Sequence, residues 1–118
     1  MKLFRFDPEA GREIGEYGSS GLTISRVVHL LEGATVNCAY LAANGMIGYH
    51  QAAASQLFLV VQGEGWVRGE SPDRMPIRAG QAAFWGKGEW HESATEIGMT
   101  AIIIEGIDVD PAELMPPV

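Results

Sequence analysis

Hydrophobic and polar residues alternate in short segments along most of the chain, and glycine, proline or polar clusters separate these segments. Alternation with a period of two is typical of a β-strand with one buried face. No segment keeps the period of about 3.6 residues that an amphipathic helix requires. We therefore predict an all-β chain of short strands. The predicted strands cover residues 3–6, 22–31, 34–42, 47–52, 56–62, 66–68, 75–78, 81–85, 90–95 and 99–105.

Turn residues indicate how these strands connect. Two residues separate segments 22–31 and 34–42, which is the spacing of a β-hairpin, so we expect these strands to pair antiparallel. The Asn-Gly pair at 44–45 and the Gly-Glu-Gly sequence at 63–65 are predicted to be turns. Asp7, followed by proline, is predicted to cap one short helical turn. Many short strands connected in this way are typical of a β-sandwich or a closed barrel.

Two of the predicted strands are apolar on both faces. Residues 57–61 and 101–104 carry hydrophobic side chains at successive positions, so each strand needs cover on both sides. The barrel interior covers one side, and either a second sheet layer or a partner subunit covers the other. So small a chain has few residues left for a second sheet layer, which favours a partner subunit as the cover. We therefore expect a homodimer.

Composition supports a single globular domain without a nucleic-acid partner. The length of 118 residues favours one domain, and a hydrophobic content of 47% is that of a globular protein. The 15 glycines exceed the usual share of about 7%, which agrees with many short strands. The net charge of −7 is spread along the chain and leaves no basic patch of the kind that nucleic acids require.

The distribution of apolar residues also bears on location. The apolar segments are too short to span a bilayer, and residues 1–20 lack the apolar core of a signal peptide. We therefore expect a cytoplasmic protein that does not enter a membrane.

The single cysteine, Cys38, has no partner for an internal disulfide and lies in an alternating segment, so we expect it to be buried.

Two histidines, His50 and His91, each lie among regularly spaced glycines. Their surroundings read Gly45-Met-Ile-Gly-Tyr-His50-Gln-Ala52-(three residues)-Gln56-(six residues)-Gly63 and Gly80-(five residues)-Gly86-Lys-Gly88-Glu-Trp-His91-(three residues)-Thr95. This spacing resembles the two signature motifs of the cupin superfamily. The resemblance covers residues 34–105 and implies a single-domain double-stranded β-helix, or jelly-roll, barrel over 1–118. Residues 1–33 would complete the sheet or the dimer, and 106–118 would form a short tail.

The resemblance also implies a metal site with an altered ligand set. In cupins the first motif supplies His, His and Glu, and these positions fall on His50, Ala52 and Gln56; the last ligand falls on His91. His50, Gln56 and His91 are thus the implied ligands of a divalent transition metal, with Zn, Fe, Ni, Cu and Mn as the candidates. A neutral glutamine oxygen is a weaker donor than the carboxylate it replaces, so the metal would be weakly held. His29 lies outside both motifs and receives no role.

Strand alternation suggests which side chains surround the histidines. His50, Gln56 and Phe58 share one face only if a bulge or turn at 53–55 resets the alternation. Glu92 is a candidate to orient the neighbouring imidazole or to act as a base. An apolar pocket with a few polar groups suits a small organic ligand. The predicted pocket walls are the side chains of Tyr49, Phe58, Trp66, Phe84 and Ser93.

The sequence leaves two main functions open. In the first, the metal held by His50, Gln56 and His91 binds a small substrate for oxygenation, isomerisation or decarboxylation, the range of reactions that the resemblance implies. In the second, the barrel is metal-free and binds or senses a small carbohydrate-like or aromatic molecule without catalysis. A third interpretation, a stable barrel whose main role is to bind a partner, also survives. The changes at Ala52 and Gln56 weaken the enzyme interpretation because oxygenase cupins usually keep three histidines and a carboxylate.

Overall fold

The protein is an all-β molecule in the computed structural model, which describes residues 1, 3–29, 33–106, 111 and 114–118. Two single 3-10 turns precede the main strands, at Pro8–Ala10 and Glu16–Gly18. Within the described residues, no helix has the length and apolar character needed to cross a membrane. The eight strands are β1 Arg12–Glu13, β2 Ser20–His29, β3 Thr35–Gln51, β4 Gln56–Arg68, β5 Met75–Arg78, β6 Ala82–Trp85, β7 Trp90–Ala94 and β8 Met99–Glu105.

Two long strands, β3 and β4, close the sheet into a barrel. Each of them pairs antiparallel with both β7 and β8, so the four strands form a closed ring. The first part of β3 pairs with β8 and its last part pairs with β7. Strand β2 pairs with β3, β1 pairs with β2, and both β5 and β6 pair with β4. The prediction of a closed all-β barrel is confirmed.

The segments 44–45 and 63–65, predicted to be turns, are bends inside continuous strands. Asn44 in β3 and Gly63 in β4 have φ angles of 63° and 79°, in the left-handed region that few residues adopt. A side chain at Gly63 would also overlap the carbonyl group of Gly98. Asparagine and glycine occur both where a chain reverses and where a strand bends. Here each strand continues beyond the bend and pairs with a different strand. The prediction of chain reversals was therefore wrong.

The N-terminal segment differs from its prediction in one part and agrees in another. Residues 3–6 form no strand, and the carbonyl oxygen of Phe6 instead accepts a hydrogen bond of 2.8 Å from the Tyr40 hydroxyl. The predicted cap at Asp7 is confirmed, since its Oδ1 accepts from the Ala10 amide at 3.1 Å. The backbone of Asp7 also accepts a bond from the hydroxyl of Ser25 in β2. This segment therefore lies on the outer face of β2 and β3.

The predicted hairpin between segments 22–31 and 34–42 is confirmed in its described part. Strands β2 and β3 pair antiparallel, with Ile24 opposite Ala39 and His29 opposite Thr35. Residues 30–32 lie outside the described residues, as do 107–110 and 112–113 of the predicted tail.

One hydrophobic core fills the barrel. On β4 and β8, directly opposed residues point inward as pairs, such as Phe58 with Ile103 and Val60 with Ala101, and all four are buried. Cys38 is buried as predicted, with 1% of its surface exposed. The assignment of the whole chain to one domain stays a prediction. The core consists of Leu22, Ala39, Leu41, Ile47, Phe58, Val60, Val67, Ile77, Trp85, Met99, Ala101 and Ile103.

The outer face of β4 is covered unevenly. Leu57 is buried, and it lines an apolar groove together with Phe84 and residues 115–118 of the same chain. Val61 on the same strand remains 55% exposed. The chain's own C-terminal residues thus lie beside part of the face that the sequence pattern assigned to a second subunit.

We predict that Phe58→Ala lowers the free energy of unfolding by about 3–5 kcal/mol, because it removes a large buried ring and leaves a cavity. Chemical denaturation of the metal-free protein measures the change. Phe4→Ala is the matched control, since Phe4 is 89% exposed, and it is expected to change stability by less than about 0.5 kcal/mol. Equal effects of the two substitutions would contradict the assignment of Phe58 to the core.

Candidate functional site

His50 and His91 lie directly opposite each other on neighbouring strands. They are paired residues of β3 and β7, and a bulge between Ile47 and His50 sets this register. Their ring centroids are 4.3 Å apart with an interplanar angle of 54°. His91 is 1% exposed, whereas His50 is half-buried. The structure thus brings together the two histidines that the sequence motifs single out.

A backbone carbonyl oxygen lies near the Nδ1 atom of each imidazole and favours the tautomer that is protonated there. The Nδ1 atom of His50 lies 2.7 Å from the carbonyl oxygen of Gly48, and the Nδ1 atom of His91 lies 3.4 Å from that of Glu89, a longer contact. A carbonyl oxygen only accepts, so each neutral ring carries its proton on Nδ1. Each Nε2 atom then carries a lone pair that can accept a bond. Within the described residues, Nε2 of His91 is buried and has no hydrogen-bond partner.

Aromatic rings enclose the histidine pair on both sides. The ring of Tyr17 stacks on His50 at 4.2 Å and 5°, and the ring of Trp85 stacks on His91 at 4.5 Å and 26°. Phe58 meets the edge of Trp85 at 6.1 Å. The two imidazoles and these three rings form a continuous series of ring contacts, which gives the imidazoles largely apolar surroundings.

The segment that carries Tyr17 is held tightly against β3. Tyr17 has a φ of 60°, an uncommon value for a residue other than glycine. Its carbonyl group lies so close to Gly48 that a side chain there would overlap it. The Gly48 amide also donates a hydrogen bond of 3.1 Å to the hydroxyl of Ser19. These contacts place Tyr17 over the outer side of His50.

Burial keeps His91 neutral. Loss of solvent and, to a smaller extent, the nearby His50 lower the pKa of His91 to about 4, against the opposite effect of the contact with the Glu89 carbonyl. At neutral pH the ring is therefore uncharged. A neutral imidazole is the form that binds a metal ion or accepts a hydrogen bond from a ligand.

Two further polar residues, Gln56 and Glu105, reach the same end of the barrel. Gln56 begins β4, is 7% exposed and lies opposite Glu105, the last residue of β8. Burial raises the pKa of the Glu105 carboxyl, and the nearby charge of His50 opposes this rise. Within the described residues, no group of three or more His, Cys, Asp and Glu side chains is arranged to hold a metal ion. Two imidazole nitrogens and a neutral amide are thus the direct donors available.

Comparison with known proteins identifies the fold. No protein-family model matches the sequence, and no curated protein matches it. A predicted oxalate decarboxylase from Thermotoga maritima has a TM-score of 0.76 at 17% identity, over 87% of this chain and 96% of the other. An RmlC-like cupin from Shewanella frigidimarina gives 0.72 at 19% identity, over 89% and 90%. The chain has the cupin fold. KdgF from Halomonas sp. is also similar, with a TM-score of 0.71 at 20% identity, over 87% and 92%.

In this cupin barrel, Phe58 and Ser93 are the two predicted pocket walls that point inward. Ser93 lies two residues from His91 on β7 and is 2% exposed. Phe58 is 1% exposed and contacts the ring of Trp85. Both therefore belong to the interior that surrounds the histidine pair.

The other three predicted walls, Tyr49, Trp66 and Phe84, lie on the outer face of the barrel. Each is adjacent in sequence to an inward residue, and strand side chains alternate between faces. Tyr49 is 38% exposed and packs against Trp90, while Phe84 is 40% exposed. The guanidinium of Arg74 lies 4.2 Å from the ring of Trp66. The structure does not bring these three rings to the histidines.

Glu92 also faces away from His91. Its carboxylate accepts a hydrogen bond of 2.9 Å from the Nε atom of Arg68, and both side chains are largely buried. The same guanidinium lies 4.2 Å from the ring of Tyr49. Glu92 thus stabilises the outer face of β7 and does not contact a group bound at the histidines.

Sequence reasoning missed three residues of this site: Tyr17, Trp85 and Glu105. Glu105 follows from alternation, because it lies at even spacing from Met99, Ala101 and Ile103 of β8, which are buried. Trp85 lies two residues from the partly buried Ala83 of β6. Tyr17 follows from no pattern, since it lies in a glycine-rich segment whose path depends on contacts with β3.

We predict that His91 makes the metal-free protein less stable as the pH falls from about 6.5 to about 4. In this range the unfolded chain, with an ordinary histidine pKa near 6.5, takes up a proton that the folded protein does not bind. Above this range the ring is neutral in both states and contributes nothing. Denaturation of the wild type and of His91→Gln at several pH values isolates the contribution. An imidazole signal of His91 that titrates near pH 6.5 in the folded protein would contradict it.

Proposed function

We propose that this cupin binds one divalent transition-metal ion through the Nε2 atoms of His50 and His91 and presents it to a small organic molecule. The observation that supports this is the matched pair of free Nε2 lone pairs. Both arise because Nδ1 is bonded to a backbone carbonyl two residues earlier in the chain. Such bonds commonly orient metal-binding histidines.

The donor set indicates which ions fit. Imidazole nitrogen suits Zn, Fe, Ni and Cu, and among divalent ions Cu²⁺ forms the strongest complexes with such donors. Gln56 offers a neutral oxygen at the same end of the barrel. Two nitrogens and one weak oxygen leave several coordination positions open for a ligand. A bound ion would act there as a Lewis acid that polarises an oxygen atom of the ligand.

The residues around the ion would exclude water and orient the ligand. Tyr17 covers His50 from outside, and Trp85 covers His91 from inside. Ser93 adds a hydroxyl group close to His91 on the same strand face. The apolar rings with few polar groups suit a small molecule. Whether the bound molecule reacts or is only held depends on its chemistry, and the proposal assigns no catalytic acid or base.

A metal-free binding module is the second candidate. It is favoured by the lack of a third His, Cys, Asp or Glu arranged for metal binding in the described part of the chain. In that case the buried Nε2 atom of His91 accepts a hydrogen bond from a hydroxyl or amine group of the ligand. The flanking rings then favour a ligand with a planar face. The predicted homodimer stays a prediction under both functions.

We predict that the untagged protein binds about one equivalent of Cu²⁺ or Ni²⁺, and that its unfolding temperature rises with metal concentration as ligand linkage requires. His50→Ala and His91→Ala are each expected to weaken binding at least about tenfold, since each removes one of two nitrogen donors. Calorimetry and thermal unfolding measure both effects. Binding should also weaken as the pH falls and the imidazoles take up protons.

His29→Ala is the matched control. It removes the third histidine of the chain, which is exposed on β2, and it is expected to leave metal binding unchanged. If the wild type binds none of Zn, Fe, Ni, Cu or Mn, the metal proposal is wrong and the metal-free module remains. If His29→Ala reduces binding as much as His91→Ala, the ion is held at the surface.

A further inference from the structure

Glu105 faces the barrel interior beside Gln56. The two are directly opposed residues of β8 and β4. The next inward pairs along this ladder are Phe58 with Ile103 and Val60 with Ala101, all buried. Because side chains alternate between faces, Gln56 and Glu105 continue this inward row. Opposed side chains in an antiparallel pair have Cβ atoms about 5 Å apart.

Glu105 is a partly buried carboxyl without a cationic partner among the described side chains. The ion pairs of these residues involve Arg5 and Arg68, and neither contacts Glu105. A carboxylate withdrawn from water is costly unless a cation or hydrogen-bond donors compensate it. Its partner Gln56 also lies opposite Trp85 of β6. The ring of Trp85 stacks on His91 at 4.5 Å, so Glu105 lies at the histidine end of the barrel.

The two histidines and Glu105 therefore have complementary properties toward a cation. The histidines offer lone pairs to a cation but no negative charge, and Gln56 is neutral as well. Glu105 offers negative charge and lacks a positive partner. One cation bound at this end of the barrel would accept the lone pairs of the histidines and also compensate the negative charge of Glu105.

We propose that Glu105 supplies the negative charge that holds a divalent cation at His50 and His91, a role that Gln56 cannot perform. This inference rests on the metal-binding function proposed above. Glu105 does not complete a three-residue ligand group with the histidines, so it acts as a positioning residue, through its charge or through a molecule bound to the ion. Partners of metal ligands that lie beyond the direct donors typically change metal affinity by about 10- to 100-fold.

The test compares Ni²⁺ affinity in the wild type, in Glu105→Gln and in the double variant Gln56→Glu/Glu105→Gln. Glu105→Gln is expected to weaken binding at least about tenfold. The double variant moves the carboxylate to the directly opposed position and is expected to recover most of that loss. Glu64→Gln is the control: Glu64 lies on β4 with an exposed side chain, so this variant removes the same charge from the protein and should keep wild-type affinity.

A second measurement separates this role from a structural one. In the metal-free protein, Glu105→Gln removes a carboxylate without a cationic partner and is expected to raise the unfolding temperature or leave it unchanged. A residue that only supports the fold would instead lower both stability and metal affinity when substituted.

The outcomes distinguish the two proposals. If the wild type binds Ni²⁺, His91→Ala loses it and Glu105→Gln binds as the wild type does, the inference about Glu105 is wrong and the metal site stands. The inference about Glu105 also fails if Glu64→Gln weakens binding as much as Glu105→Gln, because the effect is then one of net charge. If the wild type binds no divalent cation, both proposals fail.

Discussion

The bends at Asn44 and Gly63 are the backbone constraint on which the rest of this structure depends. Each allows one continuous strand to leave the partner on one side of the barrel and pair with another. Without the bend in β3, the strand would continue along β8, and His50 would not lie opposite His91 on β7. Barrel closure, the hydrophobic core and the histidine pair thus share one cause. A left-handed backbone at two positions is a small local cost compared with the ladders and the core that it allows.

The chemistry of the site follows from where closure places the histidines. His91 is buried in the barrel with the ring of Trp85 stacked on it, so its charged form is disfavoured and the ring remains neutral. The carbonyl groups of Gly48 and Glu89 hold the protons of the two rings on Nδ1. Apolar surroundings and backbone acceptors together leave two Nε2 lone pairs free for a cation or a hydrogen-bond donor. The cupin fold occurs in enzymes and in binding proteins, so the function depends on these atoms and not on the fold alone.

Glycine spacing and alternation predicted the barrel, the hairpin of β2 and β3 and the position of His50 and His91 opposite each other. They failed where the face of the sheet on which a side chain lies depends on a bulge or bend elsewhere in its strand. Tyr49, Trp66 and Phe84 have the chemical character of pocket walls, but each points outward because it is adjacent in sequence to an inward residue. The alternation is also shifted by a bulge between Ile47 and His50, which the sequence does not reveal. The position of Tyr17 depends on contacts between distant segments and lies beyond any local pattern.

The most direct test is the tautomeric state of the two imidazoles in the metal-free, ¹⁵N-labelled protein at neutral pH. Long-range ¹H–¹⁵N correlation spectra distinguish a protonated ring nitrogen from a bare one. We expect His50 and His91 both to carry the proton on Nδ1, with Nε2 unprotonated, and the Nε2 signals to respond to an added divalent ion. A proton on Nε2 of either ring, or a doubly protonated His91, would contradict the site chemistry described above.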